Sequence, residues 1–62
     1  MNNLEKILKE QGRSKTWLGR KMGVTFHTIN NWCKGKGLDR WKVKNVAEIL
    51  GVEPKDISDE NL

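Results

Sequence analysis

The chain holds one histidine, His27, and one cysteine, Cys33, close together in the stretch GVTFHTINNWCKG over residues 23–35. These are the residue types of nucleophilic catalysis and of metal ligation, and their spacing argues against both. On a helix the six-residue step from 27 to 33 is nearly two turns and about 9 Å of rise, too far for a nucleophile–base pair. A structural zinc site takes about four ligands, mostly Cys and His, and no second histidine or cysteine exists. Glu5, Glu10 and Glu48 show no paired arrangement for acid–base work. The pattern therefore predicts no enzyme, no cofactor, no metal and no small-molecule ligand. Amides, hydroxyls and cations remain: Thr25, Thr28, Asn30 and Asn31 beside His27, with lysines and arginines on either side.

The elements that must carry these side chains are short helices separated by glycine. Leu4, Ile7 and Leu8 form an apolar stripe that predicts a first helix over about 3–11, with Asn2 or Asn3 as its cap and Gly12 beyond its end. Ser14 is the expected N-cap of a second helix over 15–22, with Leu18 and Met22 inward and Trp17 at the edge. Gly23 breaks it. Thr25 caps a third helix over about 26–33, Val24 serves as a hydrophobic staple, and Ile29 and Trp32 point inward. Asp39 caps a fourth helix over about 40–50, whose apolar set is Val43, Val46, Ala47 and Leu50. Gly51 stops it, Val52 folds back, and Pro54 opens a short fifth turn with Ile57 inward. Residues 58–62 are expected to fray. Isolated helices shorter than ~12 residues are marginal in water, so these segments must pack together. The expected fold is all-α, a compact bundle of four or five helices forming a single domain over 1–62.

Bulk properties agree. A chain of 62 residues with a hydrophobic fraction of 35% buries only ~60% of its unfolded surface, so one small core is all it can build. No apolar run approaches the ~18 residues of a membrane span, and MNNLEKILKEQG lacks the apolar region of a signal peptide. With a single cysteine, a cytoplasmic location is expected. The net charge of +4 is unevenly placed: residues 1–12 are neutral, residues 13–44 carry +8 and residues 45–62 carry −4. A basic middle suits a polyanion on one face, and nucleic acid is the commonest such partner.

The link Gly23-Val24-Thr25 is too short for an antiparallel hairpin and forces a sharp crossing. Gly19, one turn before Gly23, lets the third helix come close. On these residues the stretch 15–34 resembles the helix-turn-helix of the phage repressor and Cro-like family, the lambda repressor-like DNA-binding domains. That family wants a small residue at the fifth position, glycine at the ninth, and apolar residues at the fourth, eighth, tenth, fifteenth and eighteenth. The chain supplies Gly19, Gly23, then Leu18, Met22, Val24, Ile29 and Trp32. Gly19 departs from the usual alanine but meets the same steric demand. The likeness extends over about 4–57, through Gly12, Ser14, Lys34-Gly35 and the run Val46 to Val52. The loop from Lys36 to Trp41 departs from it, being more basic and aromatic than the usual link.

The resemblance implies a regulator that binds double-stranded DNA, with the third helix in the major groove and the second across the backbone. Base readout would fall on Phe26, His27 and Asn31, with Thr28 and Asn30 at the margins. Asn31 can pair bidentately with adenine, His27 can donate to guanine, and Phe26 either meets a thymine methyl or folds back onto Val24. Phosphate contacts are expected from Arg13, Ser14 and Lys15 at the start of the second helix. Thr25, Lys34, Lys36, Arg40 and Lys42 complete that set, while Arg20 and Lys21 lie farther away. Trp32 is read as core, and Trp41 packs either on the loop or against DNA sugar. In similar proteins the far end of the fourth helix and the C-terminal residues pair two copies, so Ile49, Val52, Pro54, Ile57 and Leu62 are interface candidates. Ile57 serves equally well as core. The expected activity is that of a Cro-like repressor, bound as a homodimer to an inverted-repeat operator. The competing reading is an antitoxin-like module that binds protein without recognising an operator by itself.

Overall fold

Three helix starts are set by the same local chemistry. A side-chain oxygen accepts from the backbone N–H three residues on: Ser14 Oγ from Trp17 at 2.9 Å, Thr25 Oγ1 from Thr28 at 3.2 Å and Asp39 Oδ1 from Lys42 at 2.9 Å. Each satisfies a donor that the helix cannot, an arrangement worth about 1 kcal/mol. In the computed structural model, which describes residues 2–58, the helices are α1 (Leu4–Glu10), α2 (Lys15–Met22), α3 (Phe26–Cys33), α4 (Arg40–Leu50) and α5 (Pro54–Ile57). Among the described residues the fold is all-α, as the periodicity predicts. Residues 59–62, including Leu62 and most of the tail expected to fray, lie outside the described part.

The helix ends follow the glycines. Gly51 adopts a φ of +71°, and the N–H groups of Gly51 and Val52 close back on the carbonyls of Glu48 and Ala47. That pair of bonds is the Schellman pattern, and it folds Val52 against the core. Of the two asparagines expected to cap α1, Asn2 makes the bond. Asn3 holds the N-cap position but makes no side-chain cap; Asn2 Oδ1 accepts from Leu4 N–H at 3.1 Å instead. Asn3 is engaged elsewhere, donating through its backbone N–H to Ile57 and through its side-chain amide to Asp56. Asn2 also donates to the carbonyl of Trp32 at 2.8 Å. The N-terminal segment thereby ties α5 and the end of α3 together.

One core gathers residues from all five helices: Leu4, Ile7 and Leu8, then Leu18, then Ile29, Trp32 and Cys33, then Val43, Val46, Ala47 and Leu50, and finally Ile57. Among the described residues no polar or charged side chain is buried, so the interior carries no desolvated charge to compensate. Of the two roles the sequence leaves open for Ile57, interface and core, the structure gives it the core. It is completely enclosed, because the single turn of α5 lays it between its own helices and leaves nothing for a second copy. Met22 is partly buried rather than a full core member.

The tightest approach lies between α2 and α3. A Cβ on Gly19 would sit 2.8 Å from the carbonyl oxygen of Val24, closer than real Cβ atoms come. The Gly19→Ala variant gains about 1 kcal/mol of helix propensity but meets an overpacking cost of about 1–3 kcal/mol. We expect a net loss of stability of roughly 1 kcal/mol, and a larger one for Gly19→Val, both read from urea denaturation midpoints. A Gly19→Ala protein that keeps the whole propensity gain would show that the corner relaxes freely.

Candidate nucleic-acid interface

The corner fixes which face of α3 is available. Gly23, at a φ of +75°, turns the chain out of α2. Val24 follows with its N–H on the Gly19 carbonyl at 2.8 Å and its side chain packed against the core. Ile29, Trp32 and Cys33 then bury one side of α3. Phe26, His27 and Lys34 are exposed on the other, and Thr28, Asn30 and Asn31 are partly buried between. Phe26, left open between two readings by the sequence, is 53% exposed. Val24 packs against the core, and the Phe26 ring stands outside it, 6.0 Å from Lys15 Nζ.

The five base-readout candidates divide by the partners they already have. The hydroxyl of Thr28 shares a 3.1 Å hydrogen bond with that of Thr25. The amide oxygen of Asn30 accepts from Lys15 Nζ at 3.0 Å, turning this residue toward α2. The backbone carbonyl of Asn31 accepts from the N–H groups of Lys34 and Lys36, which closes the helix. Phe26 and His27 lie at its open, leading end.

The cations also divide. Lys15, read from sequence as a phosphate ligand, is held by Glu5 Oε1 at 2.8 Å as well as by Asn30. That contact raises the lysine's pKa and lowers that of Glu5, in each case chiefly through the hydrogen bond between them. Lys42 donates to the carbonyl of Gly37 at 3.0 Å, lies 3.7 Å from Asp39 and stands 5.9 Å from the centre of the Trp32 ring. It stitches down the loop before α4, a role the sequence reading did not give it. Lys34, Lys36, Arg40 and Lys44 are exposed. Ser14 and Thr25 both spend a side-chain oxygen on their caps.

Arg13 is held by two neighbours. Its guanidinium lies 4.0 Å from the centre of the Trp17 ring, and its Nε donates to Gln11 Oε1 at 3.1 Å. Gln11 in turn donates through Nε2 to the carbonyl of Leu50 at 2.9 Å. Both bonds fix the orientation of the Gln11 amide. A stacked guanidinium with Nε already bonded keeps its terminal amino groups for an anion. Lys21 approaches the same ring at 5.8 Å. Sequence reasoning missed Glu5, Gln11 and this use of Trp17. The Trp17–Lys21 spacing of one helical turn carried a signal. The contact between Glu5 on α1 and Lys15 on α2 left none.

Cys33 is buried, and burial pushes its thiol above the ordinary value, which disfavours the reactive thiolate. Among the described residues no group of three or more His, Cys, Asp or Glu side chains could hold a metal ion. No described helix is long and apolar enough to cross a membrane.

Comparison with known proteins agrees with this geometry. The family model for the Cro/C1-type helix-turn-helix DNA-binding domain matches residues 3–59. The crystal structure of a proposed DNA-binding protein from Bacteroides fragilis is similar to the chain with a TM-score of 0.82 and 33% sequence identity, over 92% of this chain and 94% of that one. Among curated proteins none matches the sequence significantly.

The Glu5–Lys15 pair gives a test of the site's electrostatics. Glu5→Gln frees Lys15, so affinity for duplex DNA at low salt should rise by roughly two- to tenfold, with a salt slope steeper by about one. The pKa of Glu5 is lowered by folding, so the pair is intact above the ordinary carboxylate value and is lost as pH falls through the lowered one. Acidification should therefore release Lys15 in the wild type, and the Glu5→Gln protein should lack that step. Equal affinities for the two proteins across pH, measured by fluorescence anisotropy, would show that Lys15 does not meet DNA.

Proposed function

The chain belongs to the Cro/C1-type helix-turn-helix DNA-binding family, and on that premise we propose that it is a sequence-specific transcriptional regulator that represses by occluding a promoter. The observation that carries the proposal is the α2–α3 corner. It holds the apolar side of α3 in the core and leaves Phe26 and His27 exposed in the first turn of that helix. A helix presented in this way enters the major groove N-terminus first. Phe26, His27 and Asn31 are the proposed reading residues. Asn30 and Thr28 support them, since each already has a partner within the protein.

Arg13, Ser14 and Lys15 on one side, with Lys34, Lys36 and Arg40 on the other, are proposed to hold the two backbone walls of the groove. Such contacts set register without choosing sequence. One copy reads half a site, so the proposed active form is a two-fold dimer on an inverted repeat with half-sites ~34 Å apart. Ile49, Val52 and Pro54 are partly buried at the end of α4 and the start of α5 and are the proposed pairing residues. Catalysis has no part in the proposal, and a cytoplasmic location follows from the DNA target.

Selection of bound fragments from a random duplex pool at moderate salt tests the proposal. A shared inverted repeat is the expected result. Recovery of no common sequence, or binding that persists at high salt to protein partners alone, would favour the protein-interaction reading. On the selected site Asn31→Ala should relax preference at one base position by ~1–3 kcal/mol. Lys36→Ala should weaken all sequences alike and reduce the salt slope by about one. Equal losses on every sequence from both variants would overturn this division of roles.

A further inference from the structure

Two large apolar side chains stand exposed among the described residues: Phe26 at 53% and Trp41 at 73%. Phe26 opens α3 and belongs to the proposed reading face. Trp41 sits in the first turn of α4, and the sequence leaves it between packing on the loop and packing against DNA sugar. Its helical phase is opposite to Val43, Val46, Ala47 and Leu50, which bury the inner side of that helix. The core therefore cannot recover it by a rotamer change.

Its position is set by the loop before it. The N–H of Lys36 closes onto the Asn31 carbonyl at 2.9 Å, and the Cβ position of Gly37 lies 3.9 Å from the indole nitrogen of Trp32. Lys42 reaches back to the Gly37 carbonyl and lies near the same indole. These contacts fold the loop over Trp32 and tie the first turn of α4, through Lys42, back to the last turn of α3. The indole of Trp41 is then surrounded in sequence by Lys34, Lys36, Arg40 and Lys44, all exposed. The one acid of residues 34–44, Asp39, already faces Lys42 at 3.7 Å.

We infer that Trp41 packs against the sugar–phosphate backbone of duplex DNA beside the groove that α3 occupies, a contact that rests on the DNA-binding reading above. Charge decides between the occupants. A two-fold pairing of two copies through this face sets the same patch against itself, cations against cations. A duplex backbone brings phosphates for Arg40, Lys36 and Lys44 and the apolar C–H face of a deoxyribose for the indole. Being a backbone contact, it carries no base preference, and being apolar, it releases no counterion.

Random-sequence duplex is therefore the probe, which keeps the test separate from operator selection. Trp41→Ala should weaken binding by roughly five- to tenfold at low salt, leave the salt slope unchanged, and melt at the wild-type temperature. Trp41→Phe should recover most of the loss. Because Trp32 is buried and Trp17 partly so, acrylamide quenching of wild-type fluorescence should report mainly on Trp41 and fall when duplex is added. Unchanged duplex affinity in Trp41→Ala overturns the inference and leaves the DNA-binding reading standing. Loss of self-association by Trp41→Ala without DNA, at unchanged duplex affinity, assigns the face to a second copy and also overturns it. A loss confined to single-stranded oligonucleotides assigns the indole to base stacking instead. A wild-type protein that binds neither random nor selected duplex removes both readings together.

Discussion

The close approach of Gly19 to the Val24 carbonyl is the constraint from which the rest of this structure follows. It is a backbone-to-backbone contact, so no rotamer can relieve it, and it sets how far α3 stands from α2. With that distance set, Leu18 of α2 and Ile29 of α3 share one core, and both are completely buried. Trp32 then reaches the core that α1 and α4 complete. The outward face of α3 is the remainder of this packing. Phe26 and His27 point away because the inner positions of so short a helix are already taken.

Much of the scaffold was legible in the sequence because its signals are local. A cap needs an oxygen and a donor three residues apart, so Ser14, Thr25 and Asp39 could be placed from the chain alone. Gly23 and Gly51 announce positive φ where a periodic segment stops. Gly19 was legible from its distance to Gly23, given so short a link. Less could be read where a residue's role depends on a neighbour remote in sequence. Ile57 lies in a single turn without periodicity, and apolar character alone does not separate a chain's own core from a partner's. Which of Asn2 and Asn3 caps α1 was not legible, because Asn3 is drawn to α5, more than fifty positions away. The candidate site was read less fully than the scaffold. Its residues were named, but the partners that turn Asn30 inward, pin Lys42 and stack Arg13 are tertiary.

The net charge of +8 over residues 13–44 is for the same reason not a uniform positive face. Glu5 and the Asn30 amide restrain Lys15, and the Gly37 carbonyl with Asp39 restrains Lys42. These exposed pairs contribute little stability in water, where such contacts are worth about 0–1 kcal/mol. Their larger effect is on where charge is free. Arg13 is held against Trp17 and Gln11 just before α2, and Lys34, Lys36, Arg40 and Lys44 stand exposed after α3. A duplex groove has two charged walls, which is why the two sets are proposed to meet one wall each.

The core and the proposed reading face are thus built from different side chains, though not completely. Phe26 and His27 take no part in the core, and exposed positions away from caps and buried contacts usually change stability by less than about 0.5 kcal/mol. The leading end of α3 can therefore vary in sequence while Gly19, Ile29 and Trp32 hold the frame. Asn30 does not share that freedom. Its amide oxygen is bonded to Lys15, and Lys15 to Glu5, so a change at 30 alters a cation at the start of α2 and the carboxylate on α1 that restrains it. Residues joined in one network have non-additive effects. Redirecting the proposed reading face is a local matter at 26 and 27, and at 30 it involves three helices.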